Sequence, residues 1–184
     1  MSLTQHTGGV KSIIKKDLIC WCSHKNRKPN TISLLVLFLK YREFRRLIDF
    51  RLAHDGSKLQ KIFRLFTLPL SINHNLYLSG SIAGGIMIQH GFATIVVCKS
   101  MGTGCYIRQQ VTIGSAHDGV PTIGNDVEFG CGCKVLGPIT IGDDVIIGAN
   151  AVVTKDIPSH SVVVGIPAKI IKRRHSESDE WNEV

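Results

Sequence analysis

The stretch that decides the fold is TIGNDVEFGCGCKVLGPITIGDDVIIGANAVVTKDI, residues 122–157. Every sixth residue in it is apolar, and four residues after each of these stands a second residue that is apolar or small. The first track is Ile123, Phe129, Val135, Ile141, Ile147 and Val153, and the second is Val127, Cys133, Ile139, Val145, Ala151 and Ile157. A period of six is typical of a parallel β-helix, in which each hexad supplies one short strand and one corner.

The same repeat sets the organisation of the whole chain. Glycines follow the first track at Gly124, Gly130, Gly142 and Gly148, where we expect them to relieve the steric cost of a corner. The first track continues backwards through Ile113, Ile107, Met101 and Ile95 and then, after a slip of one residue, through Ile88, Ile82, Leu76 and Leu70. We therefore predict a mainly β protein, with a short α-helical segment over residues 1–69, a parallel β-helix over 70–171 and a mobile polar tail over 172–184.

Two breaks interrupt the repeat, and each holds a histidine. The first is one extra residue in the stretch that contains His90, and the second is a four-residue extension in GSAHDGVP, residues 114–121, which contains His117. A solenoid extrudes insertions as loops, and loops on a rigid scaffold are where sites are placed. Neutral imidazole can take a proton from a hydroxyl near pH 7, so both histidines are candidates for acyl-transfer chemistry, beside a merely structural role.

Composition excludes several other classes of protein. The longest apolar run, residues 34–39, is far below the ~20 residues that cross a bilayer, and no export signal precedes it, so we expect a cytoplasmic protein. The six cysteines are expected to be free thiols, and their C-x-C spacing is not that of a zinc site, so no metal is expected. No G-x-S-x-G elbow, Cys–His pair or G-x-G-x-x-G loop indicates a covalent acyl-enzyme or a dinucleotide site.

The positive charge of the chain is concentrated near its N-terminus, where residues 1–69 carry 14 of the 22 lysines and arginines. Within residues 40–66, apolar side chains such as Phe44, Leu47 and Ile48 recur at helical spacing with basic residues between them. This pattern is typical of a helix with one core face and one solvated basic face, and it also allows peripheral contact with an anionic membrane. Nucleic-acid binding is not expected, because no aromatic stacking platform accompanies the charge.

Three segments carry a resemblance to a known family: QHG at residues 89–91, VTIGSAHDGVP at 111–121 and NAVVTKDIPSHSVVVGIPAKII at 150–171. With the hexads, they resemble the serine acetyltransferase-like branch of the left-handed β-helix acyltransferases. The helical start is similar to short bacterial members that O-acetylate surface polysaccharides. The resemblance implies a left-handed β-helix and an acetyl-CoA-dependent O-acetyltransferase, usually a homotrimer with active sites between neighbouring subunits.

The resemblance also implies roles for individual residues. His90 matches the general base, which deprotonates the acceptor hydroxyl for direct attack on the thioester and then passes the proton to the CoA sulfur. Backbone amides along a groove would hold the oxyanion and the pantetheine arm, and two lysines would meet the CoA phosphates. By motif position, these residues are Gly114, Ser115, Cys131, Ala149, Lys169 and Lys172.

The chain departs from the serine enzymes at three positions. Asn75 stands where they have an Asp that orients the base, and Gln89 replaces the Asp before the base. Ala116 replaces an Arg that pairs with the substrate carboxylate, and the sequence does not place Arg108 as its substitute.

These departures favour a sugar hydroxyl of a surface polysaccharide as the acceptor, held through hydrogen bonds by His117, Gln109 and Asp118. Two alternatives stay open: a serine O-acetyltransferase of cysteine biosynthesis and a catalytically inactive β-helix scaffold.

Overall fold

The computed structural model describes residues 9–53, 75–116 and 119–184. Three helices come first, α1 (Val10–His24), α2 (Thr31–Lys40) and α3 (Arg42–Ala53). The strands are β1 (Leu76–Ile82), β2 (Met87–Ile88), β3 (Thr94–Met101), β4 (Tyr106–Ile107), β5 (Thr112–Gly114), β6 (Thr122–Ile123), β7 (Glu128–Phe129), β8 (Lys134–Leu136), β9 (Thr140–Ile141), β10 (Val145–Ile147), β11 (Val152–Val153), β12 (Ser161–Val164), β13 (Lys169–Arg173) and β14 (Asn182–Glu183).

The strands stack in parallel to form the three faces of a prism. The first face holds the starts of β1 and β3 with β5, β8 and β11, and the second holds the ends of β1 and β3 with β6 and β9. The third face holds β2, β4, β7, β10 and β12. Corresponding strands such as β8 and β11 are three hexads apart, so one coil crosses all three faces. This is the parallel β-helix that the period predicts.

Both apolar tracks of residues 122–157 point into the prism, as predicted. Every member of the first track is at most 3% exposed and every member of the second at most 8%. Because the side chains of one coil rest on those of the next, burial of the tracks stabilises the stack along its whole length.

The predicted inward position of Ile95 is wrong. Ile95 is 45% exposed, whereas Val96 is fully buried and pairs with Ile113 of the next coil. The turn before Ile95, residues 89–93, is two residues longer than a regular corner, whereas the sequence predicts one extra residue. The next corner, before Met101, is one residue shorter than a regular corner. Alternation along a strand then places the neighbouring side chain inside. Leu70 lies outside the described residues.

The glycines that follow the first track have a different role from the predicted one. A Cβ on Gly142 would lie 2.4 Å from the Ser159 amide nitrogen, so close stacking of successive coils requires glycine there. The left-handed corner conformation falls instead on residues further along the corner, such as Asp126 (φ 53°), Asp144 (54°) and Asn150 (57°).

The helices dock on the prism through a buried ion pair. Arg51 of α3 donates to Asp17 of α1 at 2.9 Å and also to the carbonyls of Ile82 and Ala83, at the corner between β1 and β2. The Asp17 carboxylate in turn accepts hydrogen bonds from backbone amides of the same corner, including that of Gly85 at 2.7 Å. Both side chains are nearly inaccessible to water.

The apolar face predicted for the basic helix is confirmed, because Phe44, Leu47 and Ile48 are buried. The solvated basic face is only partly present, since Arg45 and Arg51 are buried and bond to backbone carbonyls. Residues 54–66 of the predicted helix lie outside the described residues. No helix within the described ranges is both long and apolar enough to cross a membrane.

The polar tail, expected to be mobile, forms an antiparallel addition to the third face. β13 pairs with β12, and β14 pairs with β13. Arg174 donates to the Asp144 carboxylate and lies over the Trp181 ring, 4.4 Å from its centroid. The prediction missed this hairpin because antiparallel pairing onto β12 does not follow the six-residue period.

Candidate active site

The first break lies at the prism edge between the third and first faces. Four corners stack there, residues 89–93, 108–111, 130–133 and 148–151, and we call this the site edge. Backbone hydrogen bonds join each corner to the next: Gln110 N–H to Phe92 O (2.9 Å), Gly132 N–H to Gln109 O (3.0 Å) and Asn150 N–H to Cys131 O (2.8 Å). The structure therefore brings the corners of His90, Gln109, Cys131 and Ala149 together along one line.

His90 stands at the first corner of the site edge with its side chain exposed to solvent. Its turn holds two residues in the left-handed region, His90 (φ 52°) and Ala93 (51°), and the Phe92 amide donates to the His90 carbonyl at 2.6 Å. One left-handed residue is usual at a corner of this prism, as at Gln110 (φ 60°) and Asn150 (57°), so the second one makes the His90 turn irregular. The imidazole forms no hydrogen bond with any residue that the structure describes.

Tyr106 of β4 organises the side chains next to His90. Its hydroxyl donates to the Gln89 carboxamide oxygen, which leaves the Gln89 amide hydrogens available to a substrate. Burial raises the pKa of Tyr106 and outweighs the opposing charge of Arg108, so the hydroxyl remains a donor. The His24 ring stacks on the Tyr106 ring with centroids 5.3 Å apart.

Sequence reasoning missed Tyr106 and His24. The sequence did offer one signal for Tyr106. It precedes Ile107 of the buried track, so its side chain points out of the prism, and it pairs with Met87 of the preceding coil, close to Gln89.

Arg108 lies at the same edge, with its guanidinium 5.4 Å from the centre of the Tyr106 ring. The Arg108 guanidinium and the Gln89 side-chain amide are both hydrogen-bond donors at this part of the site. Donors suit hydroxyl, carboxylate or phosphate oxygens in the molecule that binds.

Asn75 begins the first face directly below the His90 turn. Its carbonyl accepts a hydrogen bond from the Thr94 amide at 2.8 Å. The Asn75 side chain is exposed and makes no hydrogen bond within the described part of the chain. The backbone therefore places Asn75 beside the His90 turn, but the two side chains are not bonded to each other.

The second break lies on a different edge, between the first and second faces. Gly114 ends β5 there, and its carbonyl accepts from the Gly137 amide at 3.0 Å. A Cβ on Gly119 would lie 2.7 Å from the Pro138 Cβ, so the base of this loop packs on the following coil. His117 and Asp118 lie outside the described residues.

The width of the first face separates the two breaks within one chain. β5 has three residues, which span about 10 Å at ~3.3 Å per residue. Gly114 and Ser115 therefore lie across this face from Cys131 and Ala149.

The two predicted phosphate-binding lysines lie on the strand that follows the closing turn. Ala168 donates to the Val152 carbonyl at 2.8 Å, so this turn caps the top of the site edge. Lys169 is exposed and pairs with Val164, whereas Lys172 is half-buried and pairs with Val162 further along the third face. Of the two lysines, Lys169 is nearer the stacked corners.

The cysteines that are well buried lack the properties of a nucleophile. Burial raises the pKa of the Cys98 thiol to about 11 and the pKa values of Cys105 and Cys133 to about 12. Thiols with these pKa values are protonated at neutral pH and are poor nucleophiles. Among the described residues, no group of three or more His, Cys, Asp or Glu is placed to hold a metal ion.

Comparison with known proteins identifies the family. Residues 121–155 match the model of the bacterial transferase hexapeptide (six repeats). The chain is 36% identical over 149 residues to the serine acetyltransferase of Helicobacter pylori strain J99, in an alignment that covers 74% of this chain and 85% of that protein. The chain belongs to the serine acetyltransferase family. It is thus a left-handed β-helix of the acyltransferase type, as its sequence motifs predict.

Solved structures of serine acetyltransferases share this fold. The Neisseria gonorrhoeae enzyme in complex with serine is 25% identical with a TM-score of 0.66, and the alignment covers 88% of this chain and 69% of that one. A serine acetyltransferase in complex with CoA is 22% identical with a TM-score of 0.67, covering 89% and 70%. The chain spans only 54% of the length of another relative, serine acetyltransferase 2 of Arabidopsis thaliana, at 31% identity.

Proposed function

We propose that the protein is an acetyl-CoA-dependent O-acetyltransferase whose acceptor is serine. The observation that carries this proposal is the exposed His90 imidazole in an irregular turn at the prism edge, in a chain of the serine acetyltransferase family. One relative of the same fold is a complex with serine, and another is a complex with CoA. These relatives favour serine as the acceptor. The polysaccharide acceptor was predicted from the differences at Asn75, Gln89 and Ala116.

The chemistry needs one base and no covalent intermediate. Neutral His90 takes the proton of the acceptor hydroxyl while the oxygen attacks the thioester carbonyl carbon. The tetrahedral intermediate then collapses, the C–S bond breaks, and the imidazolium returns its proton to the CoA sulfur. Cys131 and Ala149 offer backbone amides at the site edge for the pantetheine arm and the oxyanion.

We also propose a homotrimer that completes the site. Within one chain, Gly114 and Ser115 at the start of the second break stand across the first face from His90. A neighbouring subunit that presents this loop to the site edge would bring the two breaks together. The exposed apolar side chains of Tyr77 (53%) and Ile95 (45%) on the first face fit burial in such a contact.

A second candidate acceptor is a sugar hydroxyl. Two observations favour it: Gln89 presents amide hydrogens rather than a carboxylate beside His90, and Ala116 offers no charge to a substrate carboxylate. Serine carries an ammonium group that needs an acceptor, whereas a sugar is held by neutral donors and acceptors.

The deciding experiment is release of free CoA thiol from acetyl-CoA, with L-serine and a panel of monosaccharides offered separately as acceptors. Turnover with serine supports the first proposal, and turnover with a sugar alone moves the assignment to the second. If CoA is released with neither acceptor and CoA does not bind in calorimetry, the transferase proposal is wrong and the chain is a scaffold.

A further inference from the structure

The His90 turn is packed against an acidic side chain from the helical segment. A Cβ on Gly91 would lie 3.2 Å from the Glu43 Cγ and 3.3 Å from the Leu76 Cδ2, so the Glu43 side chain and the start of β1 both pack against this turn. Glu43 is half-buried in the first turn of α3. Within the described residues, its carboxylate forms no hydrogen bond.

A histidine base works best when a partner holds its second nitrogen and stabilises the imidazolium. Asn75, beside the same turn, can offer only a neutral amide. The charged and titratable groups at the turn within the described residues are Glu43 and Arg46 of α3, with Tyr106 and Arg108 of the next coil. Glu128 and His24 lie beside Tyr106. Glu43 is the carboxylate of this set whose side chain packs against the turn itself.

We propose that Glu43 is the positioning residue of His90: its carboxylate accepts a hydrogen bond from the imidazole and stabilises the imidazolium formed during acetyl transfer. The contact requires rotation of the flexible Glu43 side chain, because the two side chains are not bonded in this structure. This inference rests on the proposed role of His90 as a base. It also explains how the chain functions with Asn at position 75.

The rival role for Glu43 is purely structural, since an acidic residue in the first turn of a helix is stabilised by the helix dipole. The test therefore needs a readout that helix stability does not change. Glu43→Gln keeps the shape and removes the charge. Glu180→Gln is the matched control, because Glu180 is an exposed carboxylate that precedes β14 in the C-terminal tail.

In CoA-release assays we expect Glu43→Gln to lower kcat roughly tenfold or more with KM nearly unchanged. The acidic limb of kcat/KM should move to lower pH, because loss of the negative charge leaves the two arginines to lower the pKa of the base. Adding Asn75→Asp to Glu43→Gln should restore much of the rate. Unchanged kinetics in Glu43→Gln, or a failure of this rescue, would overturn the proposal.

A measurement without turnover separates this proposal from the proposed function. The His90 ring can be titrated by NMR in the full chain, with its signal assigned by its absence in His90→Ala. We expect a lower pKa in Glu43→Gln than in wild type and in Glu180→Gln. An equal pKa in all three proteins contradicts the role of Glu43 even if acetyl transfer is established.

An independent observation concerns α2, which exposes an apolar stripe. Ile32 (72% exposed), Leu35 (57%) and Leu39 (62%) follow one another at helical spacing on the solvent side. The opposite side of α2 is buried through Ser33 and Leu37. A stripe of this size on a short helix is a candidate contact surface.

The charges around the stripe decide which partner fits it. From residue 18 to residue 42 the chain contains no Asp or Glu, and its charged residues are Lys25, Arg27, Lys28, Lys40 and Arg42. A second copy packed antiparallel on α2 would place the Lys28 end against the Lys40 end, with no acidic residue between them. We propose that α2 instead lies on an anionic lipid surface, with the stripe in the acyl boundary and the basic residues at the headgroups.

Sedimentation of the full chain with vesicles tests this surface. We expect binding to vesicles of phosphatidylcholine with 30% phosphatidylserine, weakened by high salt, and at least tenfold weaker binding to pure phosphatidylcholine. Leu35→Ser should lose about tenfold in binding. Ile166→Ser, at an apolar residue that is 74% exposed elsewhere, should not. Equal binding by Leu35→Ser, or a smaller assembly of that variant in ultracentrifugation, would overturn the proposal.

Discussion

Two edges of the prism are built from similar corners but use their side chains in opposite ways. At the edge between the second and third faces, which we call the ladder edge, side chains bond from coil to coil. Asn125 accepts from the Thr103 amide (3.0 Å), Asp143 from the Asn125 amide (2.6 Å) and Ser159 from the Asp143 amide (2.9 Å). Backbone hydrogen bonds join the corners at both edges, but at the site edge the His90 ring stays unbonded among the described residues. Side chains that the stack does not use are available for a substrate.

The largest expected effect is on activity at the site edge. His90→Ala should lower the rate of CoA release by ~10²–10⁴, because the general base is lost. Its thermal unfolding midpoint should change by less than about 2 °C, since the side chain is exposed. Parallel assays of rate and unfolding check both. If His90→Ala released CoA at the normal rate but had a lowered unfolding midpoint, His90 would serve stability rather than activity, as the side chains of the ladder edge do.

The second effect is on stability at the ladder edge. Gly142→Ala should destabilise the protein by about 1–3 kcal/mol, because the new Cβ would be forced against the Ser159 backbone. Gly114→Ala is the matched control, since a Cβ there meets no atom within 4 Å. Urea unfolding of both variants gives the difference. Similar losses in the two would mean that close stacking does not distinguish these corners.

The smallest effect is a pH dependence of the contact between the ladder edge and the tail. Burial acts to raise the pKa of Asp144, but hydrogen bonds from Arg174 and His160 outweigh it and hold this pKa below its usual value. A carboxyl group whose pKa is lower in the folded state than in the unfolded state stabilises the folded protein. This stabilisation is fully present above the pKa of the unfolded state, about 3.9, and is lost as the pH falls through the pKa of the folded state.

Wild type should therefore exceed Asp144→Asn in thermal midpoint by a few degrees at pH 7, and this gap should narrow below about pH 4. Thermal scans across this range measure it, with Arg174→Gln expected to reduce the same gap. A gap that stays constant down to pH 3 would show that the charge of Asp144 does not hold the tail.

The sequence predicts the prism well because burial of a track depends only on local spacing. Phe129 and Val135 are buried where the period places them. The prediction failed at Ile95, because a turn of irregular conformation precedes it and a shift of one residue reverses the side that a strand residue faces. The tail was mispredicted because it lacks the six-residue period, whereas its order comes from pairing of β13 and β14 and from the bond of Arg174 to Asp144.

The candidate site was predictable in outline. A break in a regular repeat marks where the chain leaves the stack, and this signal located His90 without any contact information. Tyr106 and Glu43 carry no comparable signal, because their importance comes from contacts with Gln89 and Gly91, which are distant in sequence.

The sequence by itself determined the repeat, the inward tracks and the positions of its two breaks, because a six-residue period of apolar side chains has one way to bury them. Only the tertiary structure decided that the breaks stand on different edges, that Arg51 is buried against Asp17, and that Glu43 lies against the His90 turn. These features depend on contacts between residues far apart in the chain, where burial and charge pairing outweigh local preference.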